Sequence, residues 1–146
     1  MTADDILKLL EKKHWKDVFV PGCKNGSTWF TQGLLVLDAW VMKRSWSHPI
    51  SIGYEIKISR EDFYADKKWV KYLDYCNEFY FVCPNKLIEP EELPTNAGLY
   101  YVSRNYKRLY QRKKSTYRNI QIPEELYRYI LMCRAKILNP VKLNNG

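Results

Sequence analysis

Apolar residues recur at two different periods along this chain, and each change of period marks a change of predicted element. Ile6, Leu9 and Leu10 stand at helical spacing behind Thr2-Ala3-Asp4-Asp5. Thr2 and Asp5 have the form of a capping box, and the acidic pair suits a helix N-terminus. A first helix is expected to about His14. Lys16 to Val20 reads as a short strand stopped by Pro21-Gly22, with a turn at Asn25-Gly26. The next strand is expected to begin near Thr28 or Leu34. Arg44 to Pro49 reads as a loop, and Ile52 to Ile58 as a third strand completing an antiparallel meander.

After Ile58 the period lengthens. Ser59 is a candidate helix cap with Glu61 and Asp62 in the first turn, and the helix is expected to reach about Cys76. Phe63, Trp69, Tyr72 and Leu73 give it an apolar face, with Phe63 and Trp69 only loosely in phase. Phe79-Tyr80-Phe81-Val82 reads as a buried strand ended by Pro84, and a crossover helix before it makes the pairing parallel. Lys86 to Asn96, with Pro90 and Pro94, reads as a loop or short helix. Ala97 to Val102 is the next strand, a partner for Lys107 to Tyr110. Pro123 opens a last helix with Arg134 and Lys136 near its end. The order predicts an α/β chain of the α+β kind, a mixed sheet flanked by helices. One domain is expected over residues 1–140, with a short tail at 141–146. No glycine-rich phosphate loop follows any strand, which argues against a doubly wound nucleotide-binding fold.

Composition narrows the partners. The 146 residues are 46% hydrophobic and 27% charged, the balance of a folded domain. No apolar run approaches the ~20 residues needed to cross a bilayer, and the acidic start is unlike a signal peptide. No membrane partner and a cytoplasmic location are therefore expected. Cys23, Cys76, Cys83 and Cys133 lack metal-site spacing and read as free thiols. The net charge of +8 favours a polyanionic partner. Between Arg104 and Arg118 stand Arg104, Lys107, Arg108, Arg112, Lys113, Lys114 and Arg118, with no acidic residue among them. Tyr106, Tyr110 and Tyr117 are interleaved, a pattern able to track phosphates and stack on bases. The same pattern also describes an edge strand kept soluble by its cations.

The chemistry lies in two apolar runs interrupted by charge. Leu34 to Val41 carries Asp38 at its middle, and Ile52 to Ile58 carries Glu55 and Lys57. Side chains alternate along a strand, so Glu55 and Lys57 share one face while Tyr54, Ile56 and Ile58 take the other. If the strands are neighbours, Asp38 joins Glu55 and Lys57. Two buried carboxylates are costly unless paired or bound to a metal. Asp38, Glu55 and the carbonyl of Ile56 would suit Mg²⁺ or Mn²⁺, with Lys57 orienting water or stabilising developing charge. That set fits phosphodiester hydrolysis, with a structural salt bridge as the alternative. His14 and His48 stand alone and are not assigned.

Asp38, the following loop and Glu55-Ile56-Lys57 resemble the motif of the PD-(D/E)XK nuclease superfamily. Glu55 to Phe63, Asp66-Lys67-Lys68-Trp69, Tyr72 to Asn77, Phe79 to Val82 and Ala97-Gly98-Leu99 resemble its MmcB-like DNA-repair branch more closely. The likeness spans about residues 30–103. It implies a restriction-endonuclease-like core with a central mixed sheet and a Mg²⁺- or Mn²⁺-dependent site. Asp38 and Glu55 would be its ligands and Lys57 its catalytic lysine, with Glu11 as a candidate helix carboxylate. Leu37 stands where the superfamily has a proline. Ser59 and Asp62 are candidates for supporting that site, while Asp66 and Lys67 read better as surface charges and Trp69 and Tyr72 as core.

The leading expectation is a deoxyribonuclease, an endonuclease by preference, acting on DNA in repair or recombination. Two symmetric cuts would need a homodimer. The alternatives are an inactive nucleic-acid-binding module, an RNA-directed nuclease, and a structural protein with an ion-paired sheet.

Overall fold

The computed structural model describes residues 1–26 and 34–138. The strand start expected near Thr28 and the tail from Val141 lie outside the described residues. The elements are α1 (Ala3–Lys13), β1 (Val18–Lys24), β2 (Val36–Met42), β3 (Ser51–Ile56), α2 (Arg60–Ala65), α3 (Trp69–Tyr72), β4 (Glu78–Pro84), β5 (Gly98–Val102), β6 (Leu109–Lys113) and α4 (Glu124–Tyr129). One six-stranded sheet has the order β1-β2-β3-β4-β5-β6. The β1, β2 and β3 meander is antiparallel, β3 to β4 to β5 are parallel, and β6 returns antiparallel. The mixed sheet with flanking helices is the α+β architecture expected from the chain.

Two apolar layers hold it. On one face Ile6 and Leu10 of α1 pack on Ala39, Val41, Tyr54, Ile56, Tyr80 and Val82. On the other, Trp40, Phe79, Phe81, Leu99 and Tyr101 meet Tyr72, Cys76 and Leu126 of α4. Because β4 and β5 are covered on both faces, they are buried almost end to end, which is why their sequences show no alternation. Cys23, Cys76 and Cys83 are buried thiols and Cys133 is exposed.

Three local readings change. β1 does not stop at Pro21-Gly22 but runs to Lys24. β1 is an edge strand, where a missing proline N–H can face away from the ladder, and Gly22 takes a φ of +53°. The helix expected from Ser59 to Cys76 is broken after Ala65, with α3 and a 3₁₀ turn at Leu73–Tyr75 following. Asp66 ends α2 in an extended conformation, and its Oδ1 accepts from the Lys68 N–H at 2.9 Å. An aspartate that captures a nearby backbone donor in this way competes with the helix. Ile58 is half exposed rather than packed under the sheet.

The β1–β2 hairpin also changes face. Val20 pairs with Trp40, and Cys23 with Leu37, yet all four join the same apolar layer. Residues three apart on a regular strand would point oppositely. The alternation therefore breaks between these pairs, where the register passes from Pro21 and Ala39 to Cys23 and Leu37 and leaves Gly22 and Asp38 without a partner in the ladder.

A strap from Ser115 to Arg118 closes the sheet beside α3. Ser115 Oγ accepts from the Phe79 N–H at 3.0 Å, and a Cβ on Gly98 would lie 2.6 Å from the Ser115 nitrogen and 2.4 Å from the Tyr80 ring. Gly98→Ala is expected to destabilise the fold by about 1–3 kcal/mol, measured as a lower urea midpoint. An unchanged midpoint would show that strap and strand do not approach this closely.

Candidate metal and phosphodiester site

β2 and β3 part company where the charged residues stand. Their ladder ends at the pair Ala39 and Tyr54, while β3 continues beside β4 to the pair Ile56 and Val82. One register step beyond the last β2–β3 pair, Asp38 and Glu55 face each other across the gap. Each carboxylate reaches the opposite backbone. The Asp38 N–H donates to Glu55 Oε1 at 3.1 Å, and the Ile56 N–H donates to Asp38 Oδ2 at 2.7 Å. Side chains thus replace the ladder bonds that the diverging strands no longer make, satisfying backbone donors that would otherwise be buried unpaired.

Glu55 and Lys57 are 6% and 5% exposed, and Asp38 is half-buried. Burial, and then the neighbouring Asp38 charge, push the Glu55 carboxyl up to about 8. Burial raises Asp38 as well, against the hydrogen bond from Ile56, which lowers it. Two carboxylates taken from water beside one another resist ionising together. Each has one oxygen engaged by backbone, and a hydrogen bond from the Glu55 side chain also lowers Asp38. A hard divalent cation fits such a pair, because it would offset both the burial and the mutual repulsion. Among the described residues no third His, Cys, Asp or Glu joins them. The cation would rest on Asp38, Glu55, the adjoining Ile56 carbonyl and water.

Lys57 leaves β3 on the same face as Glu55, and α2 supplies its partners. Asp66 Oδ2 lies 2.8 Å from Lys57 Nζ and Asp62 Oδ1 3.9 Å. The Lys57–Asp66 contact is an ion pair whose angles are not those of a hydrogen bond, since Asp66 Oδ2 is otherwise unpartnered. Glu55, Lys57, Asp62, Asp66, Lys68 and Tyr72 line an open cleft of about 250 Å³. α2 is clamped over it from outside: Arg60 pairs with Glu92 and donates to the Leu87 carbonyl at 2.8 Å, while Tyr64 donates to Glu92 at 2.6 Å.

The other expected site residues divide. Ser59 accepts from the Asp62 N–H at 3.1 Å and so caps α2 rather than reaching the carboxylates. Asp66, expected at the surface, is the closer partner of Lys57; the loose phase between Phe63 and Trp69 is the one trace in the sequence of the helix break that aims it. Glu11 is not brought to the site. It is exposed on α1, and α1 packs on the face carrying Tyr54 and Ile56, opposite Glu55. Tyr72 is core, stacked on Phe79 with centroids 6.0 Å apart, and Trp69 packs against the same layer. His14 is buried between Asp17 at 2.9 Å and Tyr54 at 2.7 Å, and His48 stays exposed in its loop.

The basic stretch is not one surface. Arg118 donates to the carbonyls of Leu73 and Cys76, the latter at 2.8 Å, fastening the strap to the turn before β4. Its role is structural, a correction to its place among nucleic-acid contacts. Lys113 donates to the Pro94 carbonyl at 3.0 Å, and Lys114 pairs with Glu78 at 2.7 Å. Arg104, Lys107, Arg108 and Arg112 are exposed and make no side-chain ion pair among the described residues. No described helix is long and apolar enough to cross a membrane.

Comparison with known proteins agrees with the fold and identifies a family. A protein of unknown function from Silicibacter pomeroyi shares 18% identity over 94% of both chains, with a TM-score of 0.61, a likeness of fold. No curated protein matches the chain. The family model described as "DNA repair protein MmcB-like" matches residues 38–120. That span begins at Asp38, takes in Glu55, Lys57, α2 and the strap, and covers more than half of the sequence. The chain belongs to the MmcB-like family of DNA repair proteins.

Proposed function

We propose that this protein is a metal-dependent deoxyribonuclease of the PD-(D/E)XK type, hydrolysing phosphodiester bonds in DNA repair or recombination. The observation that carries the reading is the opposed pair Asp38 and Glu55 at the strand split, with Lys57 beside Glu55 on the same face. Membership of a DNA repair family supports DNA as the substrate. Asp38, Glu55 and the Ile56 carbonyl would hold Mg²⁺ or Mn²⁺. Such an ion supplies Lewis acidity toward a phosphate oxygen and lowers the pKa of water.

The chain's own residues set the rest. β3 presents Glu55 and Lys57 from a strand buried along its length, so both start from fixed positions. The backbone donors of Asp38 and Ile56 orient the two carboxylates toward the gap. Lys57 Nζ, held by Asp66, is the group to orient the attacking water or to stabilise charge developing on the phosphate. The open cleft beside it leaves room for a phosphate backbone.

A second reading is a DNA-binding module without hydrolysis. The absence of a third acidic side chain among the described residues favours it. Incubating the pure protein with Mn²⁺ and single-stranded, duplex and branched DNA separates the two, because binding without product supports the module. RNA substrates in the same assay test the RNA-directed alternative. Lys57→Gln is expected to reduce cleavage about 10²-fold or more with little change in DNA affinity. Undiminished cleavage by this variant would overturn the mechanism.

The Glu55 carboxyl, raised to about 8, also makes a prediction about the metal-free protein. The folded state holds this proton at pH values where the unfolded chain has released it. Stability therefore falls as pH rises from the ordinary carboxylate range toward 8. Glu55→Gln keeps an oxygen for the Asp38 N–H and carries no charge. It is expected to raise Tm near pH 8 by a few degrees and to flatten the pH dependence in thermal melts. A variant that melts lower, with unchanged pH dependence, would show that Glu55 is ionised in the folded apoprotein.

A further inference from the structure

Four cations from distant parts of the chain converge on the face of the sheet opposite the carboxylates. Lys12 and Lys13, in the last turn of α1, lie across a cleft of about 330 Å³ from Lys107 and Arg108, with Leu9 and Leu109 at its base. Lys107 and Arg108 belong to the turn joining β5 to β6. That turn is tightly bonded: Ser103 N–H donates to the Arg108 carbonyl at 2.8 Å, Arg108 N–H to Ser103 Oγ at 3.0 Å, and Lys107 N–H to Asn105 Oδ1 at 3.1 Å. Tyr106 sits in it at a φ of 62°, a left-handed conformation that costs a non-glycine residue about 1–2 kcal/mol, and the residue is 59% exposed.

The charges across the cleft are not balanced from within. Lys12, Lys13, Lys107 and Arg108 make no side-chain ion pair among the described residues. Burial and the Lys43 charge lower the pKa of Lys13, against an attraction from Asp17. Asp17 is already held by His14 at 2.9 Å. Lys13 also lies over the Tyr100 ring, 5.1 Å from its centroid, which restrains the lysine in place. Like charges gathered around an open cleft, next in sequence to an exposed Tyr106, are the chemistry of a phosphate-backbone contact.

The cleft is also on the correct rim. The β5–β6 turn follows the pair Val102 and Leu109, at the end of the parallel strands where β3 delivers Lys57. From β3 to β6 is three strand spacings, roughly 14 Å. DNA crossing the rim can therefore touch both the carboxylate site and this turn.

We infer that Lys12, Lys13, Lys107 and Arg108 form a second nucleic-acid contact, in which α1 and the β5–β6 turn clasp backbone phosphate while Tyr106 offers a stacking surface. The inference rests on the reading of the protein as one that acts on DNA, and it concerns binding alone. The test is fluorescence anisotropy of a short labelled DNA duplex in EDTA, over a range of salt concentrations. Lys12→Gln with Arg108→Gln is compared with Lys136→Gln with Arg128→Gln, which removes equal charge from the α4 side.

The cleft pair is expected to weaken binding at least about tenfold and to reduce the salt slope by about 2, one for each phosphate that the variant no longer neutralises. The α4 pair is expected to change neither beyond a general net-charge effect, and Lys12→Arg with Arg108→Lys to restore most of the affinity. Equal weakening by both pairs, or wild-type binding by the cleft pair, would overturn the inference. So would competition by polyglutamate as effective, charge for charge, as by DNA. Cleavage by a wild-type protein whose cleft variants bind normally removes this contact and leaves the nuclease reading intact. Weakened binding by the cleft variants of a protein that never cleaves DNA removes the nuclease reading and leaves the contact.

Discussion

The ladder between β2 and β3 cannot continue past Ala39 and Tyr54, and the two strands are held together there by carboxylates. Asp38 takes the Ile56 N–H and Glu55 takes the Asp38 N–H. These contacts satisfy buried donors, but they place two acidic groups side by side in a poorly solvated gap. The fold and the chemistry therefore meet in one interaction. The divergence needs acceptors, the acceptors repel each other, and a divalent cation would relieve that repulsion. Gly22, with a φ of +53°, falls with Asp38 in the step of the β1–β2 register where the pair changes face, so the distortion extends into the edge strand.

Lys57 shows how the surrounding elements serve this point. α2 is only six residues long, too short to be stable by itself. It is capped by Ser59, clamped through Arg60 to Glu92, and ended by an aspartate facing Lys57. The break at Asp66 costs helix continuity and gives the buried ammonium a partner. On the far side of β4, Arg118 ties the strap to the turn that follows α3. A cation in a basic run is here a fastening for the core.

Much of this is legible in the sequence. Buried β4 is evident because Phe79 to Val82 form an unbroken apolar run shortly before Pro84, and the parallel β3–β4 pairing follows from the crossover between them. Asp38, Glu55 and Lys57 stand out because charges interrupt apolar runs. Their shared face needs only period two on β3 and an adjacent strand. What cannot be read depends on contacts between distant residues. Arg118 looks like its basic neighbours until the carbonyls of Leu73 and Cys76 are placed beside it. Asp66 looks like a surface charge until α2 folds back over Lys57. Lys12 and Lys107 are brought together only by the packing of α1, with no signal in local pattern. Pro21 and Gly22 are turn residues by propensity, and their place on an edge strand overrides it.

The pairing of Asp38 with Glu55 around a divalent cation is tested most directly by an anomalous difference map from crystals grown with Mn²⁺. The crystals should be held near pH 8 or above, where the Glu55 carboxyl, raised to about 8, gives up its proton. A peak is predicted between the carboxylates of Asp38 and Glu55, within coordination distance of both. A map with no peak there, and with Asp38 and Glu55 still bonded only to each other's strands, would contradict it.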